Sequence, residues 1–321
     1  MKKRFLALFL ALLLAPMWAL GEDLLYEVDP ETGEVLFLAD PEEEIELESV
    51  AQDALDLVDG QMNILLLGID ARPGQESGRS DTMILLTVDA NQKTVKLTSF
   101  MRDLYVEIPG YKNNRLNAAY RFGGPELLFE TLKENFGIEV DQYVTVNFTM
   151  MADLVNQIGG LELDVESDYI RDRINAVIKM DNKALGIDID TDLLSSSGVQ
   201  TLNGKQVQAF ARWRTGSSDF ERTQRQREVI VAILEKLKNE FSLVQLMQLA
   251  ATNIDNVYTN MSLATIMQLA PALFELDLSS IEQLRIPVDG AYKNQTVSGM
   301  AVLVPDRDKN IAAISEFFAE S

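Results

Sequence analysis

The sequence predicts an α/β domain in which helices are layered against one mixed sheet. Three observations carry that prediction. The run Asn63-Ile64-Leu65-Leu66-Leu67-Gly68-Ile69-Asp70 stays apolar without alternation almost to its last residue, the pattern of a strand covered on both faces. Two more strand-like runs, 83–88 and 94–100, follow it, joined by the turn Asp89-Ala90-Asn91-Gln92-Lys93. Downstream, helix-period stretches alternate with short apolar runs, an order that implies an α/β or α/β/α layered domain.

Element by element, Lys2-Lys3-Arg4 precede an apolar run from Phe5 to Leu20 that Pro16 interrupts. A bilayer-spanning helix needs about 20 apolar residues. With Ala19-Leu20-Gly21 as a small-x-small cleavage site, residues 1–21 read as a signal peptide or short signal anchor. Either way, the positive charges ahead of the run place the rest of the chain outside the cytoplasm, secreted or tethered to the outer face of the membrane. Residues 22–59 read as an acidic hairpin and spacer, with strands around the turn Asp29-Pro30-Glu31-Thr32-Gly33 and a weak helix after Asp40. Residues 60–321 form the main domain. Its expected helices lie near 125–136, 149–158, 220–240, 243–253, 262–274 and 308–319, with further strands at 140–148, 161–166 and 284–288. Residues 170–200 are polar and broken, and carry no clear period.

Charge and composition narrow the function. Lys+Arg number 28 against 50 Asp+Glu, for a net charge of −22, and fifteen of the acids fall in 22–59. Such a surface repels a phosphate backbone, so nucleic acid is not an expected partner. Cysteine and histidine are both absent. That excludes Cys/His zinc sites, thiol nucleophiles and a Ser-His-Asp triad. A general base must then be a carboxylate, and a bound metal a hard cation held by oxygen.

Two clusters carry candidate chemistry. If the first three strands form an antiparallel meander, Asp70, Arg79, Asp81, Arg102 and Asp103 share one sheet edge. Paired aspartates there suit Mg²⁺, with Mn²⁺ as the alternative, although Asp and Arg are also ordinary turn formers and ion pairs at strand ends. The second cluster is Arg212, Arg214, Arg222, Arg225 and Arg227, in a stretch where 206–235 has no lysine. Arginine's planar fork suits phosphate. At about 100° per residue, Arg222, Arg225 and Gln226 fall on the apolar stripe of Val229, Ile233 and Leu237, while Arg227 falls outside with Glu228 and Glu235. Coreward arginines at a helix start need an anion or buried carboxylates. An internal network with Asp219, Asp103 or Glu221 is one solution. A phosphate or diphosphate is favoured, because the arginines outnumber nearby acids.

In order and spacing, NILLLGID, GRSDT (78–82), SFMRD (99–103), RLNAAY (115–120), NFTMMADLVNQIGGLELDV (147–165), LNGKQVQAFARWR (202–214) and DFERTQRQR (219–227) resemble the LytR-CpsA-Psr family of bacterial envelope proteins. The resemblance spans about 62–319 and is weakest over 167–198. It implies a three-layer α/β/α sandwich around a central mixed sheet. It also implies a phosphotransferase that attaches an anionic glycopolymer to peptidoglycan from a polyprenyl-diphosphate-linked precursor, meeting the membrane surface through that lipid. By position, Asp70 and Asp81 resemble the family's Mg²⁺ ligands. Arg79, Arg102, Arg212, Arg214, Arg222, Arg225 and Gln226 fall on its diphosphate-binding positions, with Arg115 where many members have lysine. Asp103 and Asp219, acidic positions near the site, are candidates to orient or deprotonate the acceptor hydroxyl. Catalysis is expected to rest on these two with Arg102, Arg212 and Arg214, beside an apolar groove for the prenyl chain. A precursor hydrolase and a non-catalytic carrier are the alternatives. Asn156 replaces an Asp common in the family, a change expected to matter to local structure. The family also carries a transcriptional-attenuator label, which nothing in this exported, acidic chain supports as direct DNA binding.

Overall fold

Strands covered on both faces need helices above and below them, and the computed structural model has that arrangement. It describes residues 26–28, 35–37, 60–69, 80–213, 219–254 and 257–319. Two short strands, β1 (Tyr26–Val28) and β2 (Val35–Phe37), pair antiparallel. Then come β3 (Gln61–Ile69), β4 (Ser80–Asp89), β5 (Thr94–Phe100), β6 (Tyr105–Val106) and β7 (Asn114–Arg115). Helix α1 (Asn117–Phe136), β8 (Gln142–Asn147), α2 (Phe148–Gln157), β9 (Leu161–Val165), α3 (Asp168–Leu185), β10 (Gly198–Leu202) and α4 (Gly204–Arg212) follow. The chain continues through α5 (Asp219–Glu240), α6 (Leu243–Asn253), β11 (Tyr258–Thr259), α7 (Leu263–Leu269) and α8 (Ala272–Glu275). It closes with β12 (Asp277–Ile286), β13 (Tyr292–Val297), β14 (Met300–Pro305) and α9 (Arg307–Ala319).

The central sheet runs β11-β8-β3-β4-β5-β12. The expected meander is present: β3, β4 and β5 are antiparallel neighbours, whereas β8 joins β3 and β12 joins β5 in parallel. Alternation then sends Leu65, Met83 and Leu85 to one face, packed against Leu128, Leu132 and Phe136 of α1 and Ile314 of α9. Ile84, Leu86 and Leu97 go to the other face, against Ile230 and Leu234 of α5 and Ala272 of α8. The result is a three-layer α/β/α sandwich with a mixed sheet. A further core, under α2, β9, α3, β10 and α4, abuts α5 through Val229 and Ile233.

Differences from expectation have local causes. α1 begins at Asn117 and bends at Gly123-Gly124 before Pro125, so the period reveals only its second half. α3 occupies much of the stretch left unassigned, capped by Ser167 and ended by Gly186 in the left-handed region. Its buried stripe is only Ile174, Ile178 and Asn182, too thin to read as amphipathic. Pro271 divides the expected 262–274 helix into α7 and α8. The β13–β14 hairpin and α4 went unforeseen. At the start of α4, a Cβ on Gly204 would lie 1.9 Å from the Ala152 carbonyl oxygen, so only glycine lets α2 and α4 approach. Asn156 takes part in that approach, its Oδ1 accepting from the Gly204 N–H at 2.8 Å.

Candidate active site

The meander brings three sequence positions to one edge, as its topology requires. Register pairs Ile69 with Ser80, so the end of β3 and the start of β4, whose second residue is Asp81, share one end of the sheet. Arg102 and Asp103 follow β5 there, and the first turn of α5 arrives beside them. Arg102 is the hub. Its Nη1 donates to Asp81 Oδ1 at 2.8 Å and its Nε to Asp219 Oδ2 at 2.9 Å, and Asp103 lies 3.7 Å away. Burial works against the Arg102 charge, but the bond and charge of Asp81, with those of Asp219 and Asp103, outweigh it and hold its pKa above the ordinary value. Arg222, buried as its helical phase predicted, donates to Asp219 Oδ2 at 3.3 Å and approaches the Asp81 carbonyl at 3.5 Å. Arg115 lies 3.2 Å from Asp103 Oδ1 and donates through Nε and Nη2 to the Ala301 carbonyl.

Among the described residues of this cluster, no surplus of arginine over acid is seen. Arg102, Arg115 and Arg222 face Asp81, Asp103 and Asp219, three cations against three anions. The internal network that the sequence left as an alternative is therefore formed among the described residues. Asp70, Arg79 and Arg214 lie outside the described residues. Two oxygens keep capacity. Asp103 Oδ1 is buried and accepts no hydrogen bond among the described residues, and Asp81 is partly exposed with only Oδ1 engaged by Arg102.

The other predicted residues separate. Arg212 pairs with Asp181 of α3 at 2.6 Å and sits over the Phe148 ring, 4.7 Å from its centroid. Arg225 is buried, but its Nε donates to the Phe210 carbonyl at 3.1 Å and its Nη2 to that of Trp213, with the guanidinium 4.0 Å from the Trp213 ring centroid. It thereby ties down the carboxyl end of α4, from which Arg212 projects. Burial pulls its pKa below the usual value. Arg227, expected outside, instead packs across the sheet edge, donating to Gln283 Oε1 at 2.7 Å and Ser99 Oγ at 3.0 Å. The long α5 lies on the sheet over more of its circumference than a single stripe, and that breadth pulls Arg227 in.

Beside the charged cluster opens an apolar cavity of about 380 Å³, lined by residues that include Gly68, Thr82, Val146, Phe148 and Gln226. It adjoins a second cavity of about 410 Å³, the two sharing Ile64, Leu86, Val144, Leu154, Leu234 and Met261. Together they run between the sheet and helices α5 to α8. Gly68 lets Thr82 pack closely at the near end, since a Cβ there would lie 2.9 Å from Thr82 Cβ. Thr82 follows Asp81, and Phe148 lies beneath Arg212, so charged groups adjoin one end of an otherwise apolar space. Asp181 carries no sequence signal that marks it for this place, and Phe148 and Thr82 lie in segments that resemble the family without being singled out as site residues.

Comparison with known proteins bears on this geometry. Residues 38–316 match the LytR_cpsA_psr family. The regulatory protein MsrR of Staphylococcus aureus (strain COL) is 30% identical over 267 residues, 82% of this chain and 76% of MsrR. The polyisoprenyl-teichoic acid–peptidoglycan teichoic acid transferase TagT of Bacillus subtilis (strain 168) is 35% identical over 228 residues, 70% of this chain and 67% of TagT. The solved structure of TagT with bound octaprenyl pyrophosphate lipid matches with a TM-score of 0.61 and 26% identity, over 86% of this chain and 92% of that one.

Proposed function

The chain belongs to the LytR-CpsA-Psr family, and from that premise we propose that it moves a glycopolymer from a polyprenyl diphosphate to peptidoglycan. One observation carries the reading: two adjoining apolar cavities end beside a cluster of partly buried arginines and aspartates around the buried Arg222. An amphiphile with a long apolar tail and a doubly anionic head fits those two surfaces, and TagT holds such a lipid. The tail lies between the sheet and α5, and the diphosphate meets Arg102, Arg222, Arg212 and Gln226, joined by Arg79 and Arg214. Arg115 reaches the same cluster through Asp103. Arg225 acts one step removed, by fixing the end of α4.

In the reaction, a peptidoglycan sugar hydroxyl attacks the phosphorus that carries the glycopolymer. A new P–O bond forms, the bond to the bridging oxygen breaks, and prenyl monophosphate leaves. The hydroxyl proton passes to a carboxylate. Asp219 already accepts from Arg102 and Arg222, whereas the buried Oδ1 of Asp103 has the Arg115 guanidinium 3.2 Å away but accepts no hydrogen bond among the described residues. That contrast favours Asp103 as base and Asp219 as the group that orders the two guanidiniums. Fixed arginines then stabilise charge developing on the leaving phosphate. Asp81, partly exposed and engaged by Arg102 through one oxygen only, fits a Mg²⁺ or Mn²⁺ ligand, with Asp70 as its partner. A bound ion there would supply further neutralisation of the diphosphate.

The site of action is the outer face of the cytoplasmic membrane, where lipid-linked precursor and peptidoglycan meet. No helix among the described residues is long and apolar enough to cross a membrane, and residues 1–21 lie outside them.

The test incubates the full chain with a short polyprenyl-diphosphate oligosaccharide, peptidoglycan oligomers and Mg²⁺, with products followed by mass spectrometry. A phosphodiester-linked conjugate and prenyl monophosphate are expected. Arg102→Ala should lower the rate roughly 10²–10³-fold, the usual loss when a transition-state donor is removed. Prenyl monophosphate with free sugar phosphate would replace the transferase with a hydrolase. An intact donor that co-purifies with the protein would make it a carrier.

A further inference from the structure

The exposed large apolar side chains are unevenly placed. Met180 is 58% exposed, Leu185 70%, Ile187 43% and Ile189 48%, all within ten residues at the end of α3. Single exposed apolar residues are ordinary, but four within ten residues at one helix end make a local apolar surface. The turn that carries this group is firmly held. Gly186 ends α3 in the left-handed region at φ 71°. The Ile187 N–H donates to the Asn182 carbonyl at 3.1 Å. The buried Asn182 amide donates back to the carbonyls of Ile189 at 3.1 Å and Thr191 at 2.8 Å. The acids beside the isoleucines, Asp188 and Asp190, are engaged too. Asp190 pairs with Lys179 at 2.8 Å, and Asp188 Oδ1 accepts from the Asp190 N–H at 3.0 Å. The turn is built, and its apolar side chains are held outward.

Its position points to an occupant. Asp181, next to Met180, grips Arg212, and Arg212 covers Phe148 at the cavity. The tip is therefore two contacts from the place where a lipid-linked head would sit. A stable protein–protein interface buries about 800 Å² per partner, far more than the outer parts of four side chains can offer. A few apolar side chains flanked by lysines are enough for the headgroup–acyl boundary of a bilayer. Exposed Lys183 stands beside this group on the last turn of α3, and Lys179, one turn earlier, is the partner of Asp190.

Resting on the transferase reading, we propose that Met180, Leu185, Ile187 and Ile189 form a tip that docks on the lipid surface holding the donor, and that it sets the cavity mouth against the bilayer. The tip lies within 167–198, where resemblance to the family is weakest, so docking is a property of this chain's own segment.

Because the chain has no cysteine, a single introduced thiol can carry an environment-sensitive fluorophore. Full-length Ile187→Cys and Ile189→Cys proteins, labelled and mixed with vesicles of phosphatidylethanolamine and a minority of phosphatidylglycerol, should shift emission to the blue and be quenched by nitroxide-bearing lipids. A label at Val199→Cys, also exposed, should do neither. Labels at 187 and 189 that behave like 199 on vesicle-bound protein would overturn the proposal. So would a blue shift that grows with protein concentration without vesicles, which would make the tip a contact between copies. No donor is present, so this readout stands or falls apart from transfer. As a second measurement, Leu185→Ser with Ile187→Ser should lower transfer from vesicle-embedded donor roughly tenfold, as expected for about two buried methylenes, and leave transfer from a water-soluble short-prenyl donor unchanged. Equal loss on both donors would overturn docking. No transfer by the unaltered chain from the soluble donor would instead remove the transferase reading.

Discussion

The two faces of β3 are made of the same residue types and do opposite things. Leu65 points into a close-packed core against α1 and is fully buried. Ile64 and Leu66, its neighbours on either side, line the adjoining hollows under α5 to α8. Protein interiors are normally packed to crystal density, and an apolar cavity of this size forfeits contacts on every wall. The closed face is close-packed core, and the hollow face is the wall of the proposed tail site.

Substitutions on adjacent residues should separate the two faces. The largest effect belongs to the closed one. Leu65→Ala should cost ~2–5 kcal/mol in denaturant unfolding, whereas Leu66→Ala, whose side chain already borders a void, should cost about 1 kcal/mol. Equal losses would mean that the hollow is filled by packing in solution. Enlarging the same residues inverts the readout. Leu65→Phe overpacks the core and should cost ~1–3 kcal/mol. Leu66→Phe should be tolerated by the fold, yet weaken binding of a short prenyl diphosphate roughly tenfold, about two methylenes of lost contact, by titration calorimetry. The smallest effect concerns pH. Burial pushes the phenol of Tyr120, on the closed face, above its ordinary value, and the nearby Thr145 hydroxyl partly opposes this. A raised folded pKa contributes stability that is complete below the unfolded value near 10 and lost as pH rises through the folded one. The unfolding midpoint should therefore fall in that alkaline window, and less steeply in Tyr120→Phe.

How much of this the sequence discloses follows from the same contrast. The meander, the long α5 and the coreward phase of Arg222 were readable, because charged residues on an apolar stripe break a pattern and so announce themselves. Arg227 was misplaced because phase predicts one buried stripe, and α5 packs on more than one side. The cavity was invisible. Ile64 and Leu66 that line a void are written in the same letters as Leu65 that fills a core, and only the positions of the opposing helices tell them apart. Asp181 was equally silent, an exposed-looking acid in a stretch without a clear period until α3 turned it toward Arg212. The balanced pairing of Arg102, Arg115 and Arg222 with three aspartates could not be foreseen from counts, since counts do not say which charges meet.

Helix α5 belongs to both ends of the proposed substrate. Its first turns carry Arg222 and Gln226, and Ile233, Leu234 and Leu237 further along form cavity wall. At 1.5 Å per residue its 22 residues make a rod about 33 Å long, and a rod cannot shift at one end alone. Seating a tail against the wall and aiming the guanidiniums at a diphosphate thus become a single mechanical event. A donor whose tail is too short to press on that wall should bind more weakly and also turn over more slowly once bound, because remote binding energy is what sets the reacting end in place.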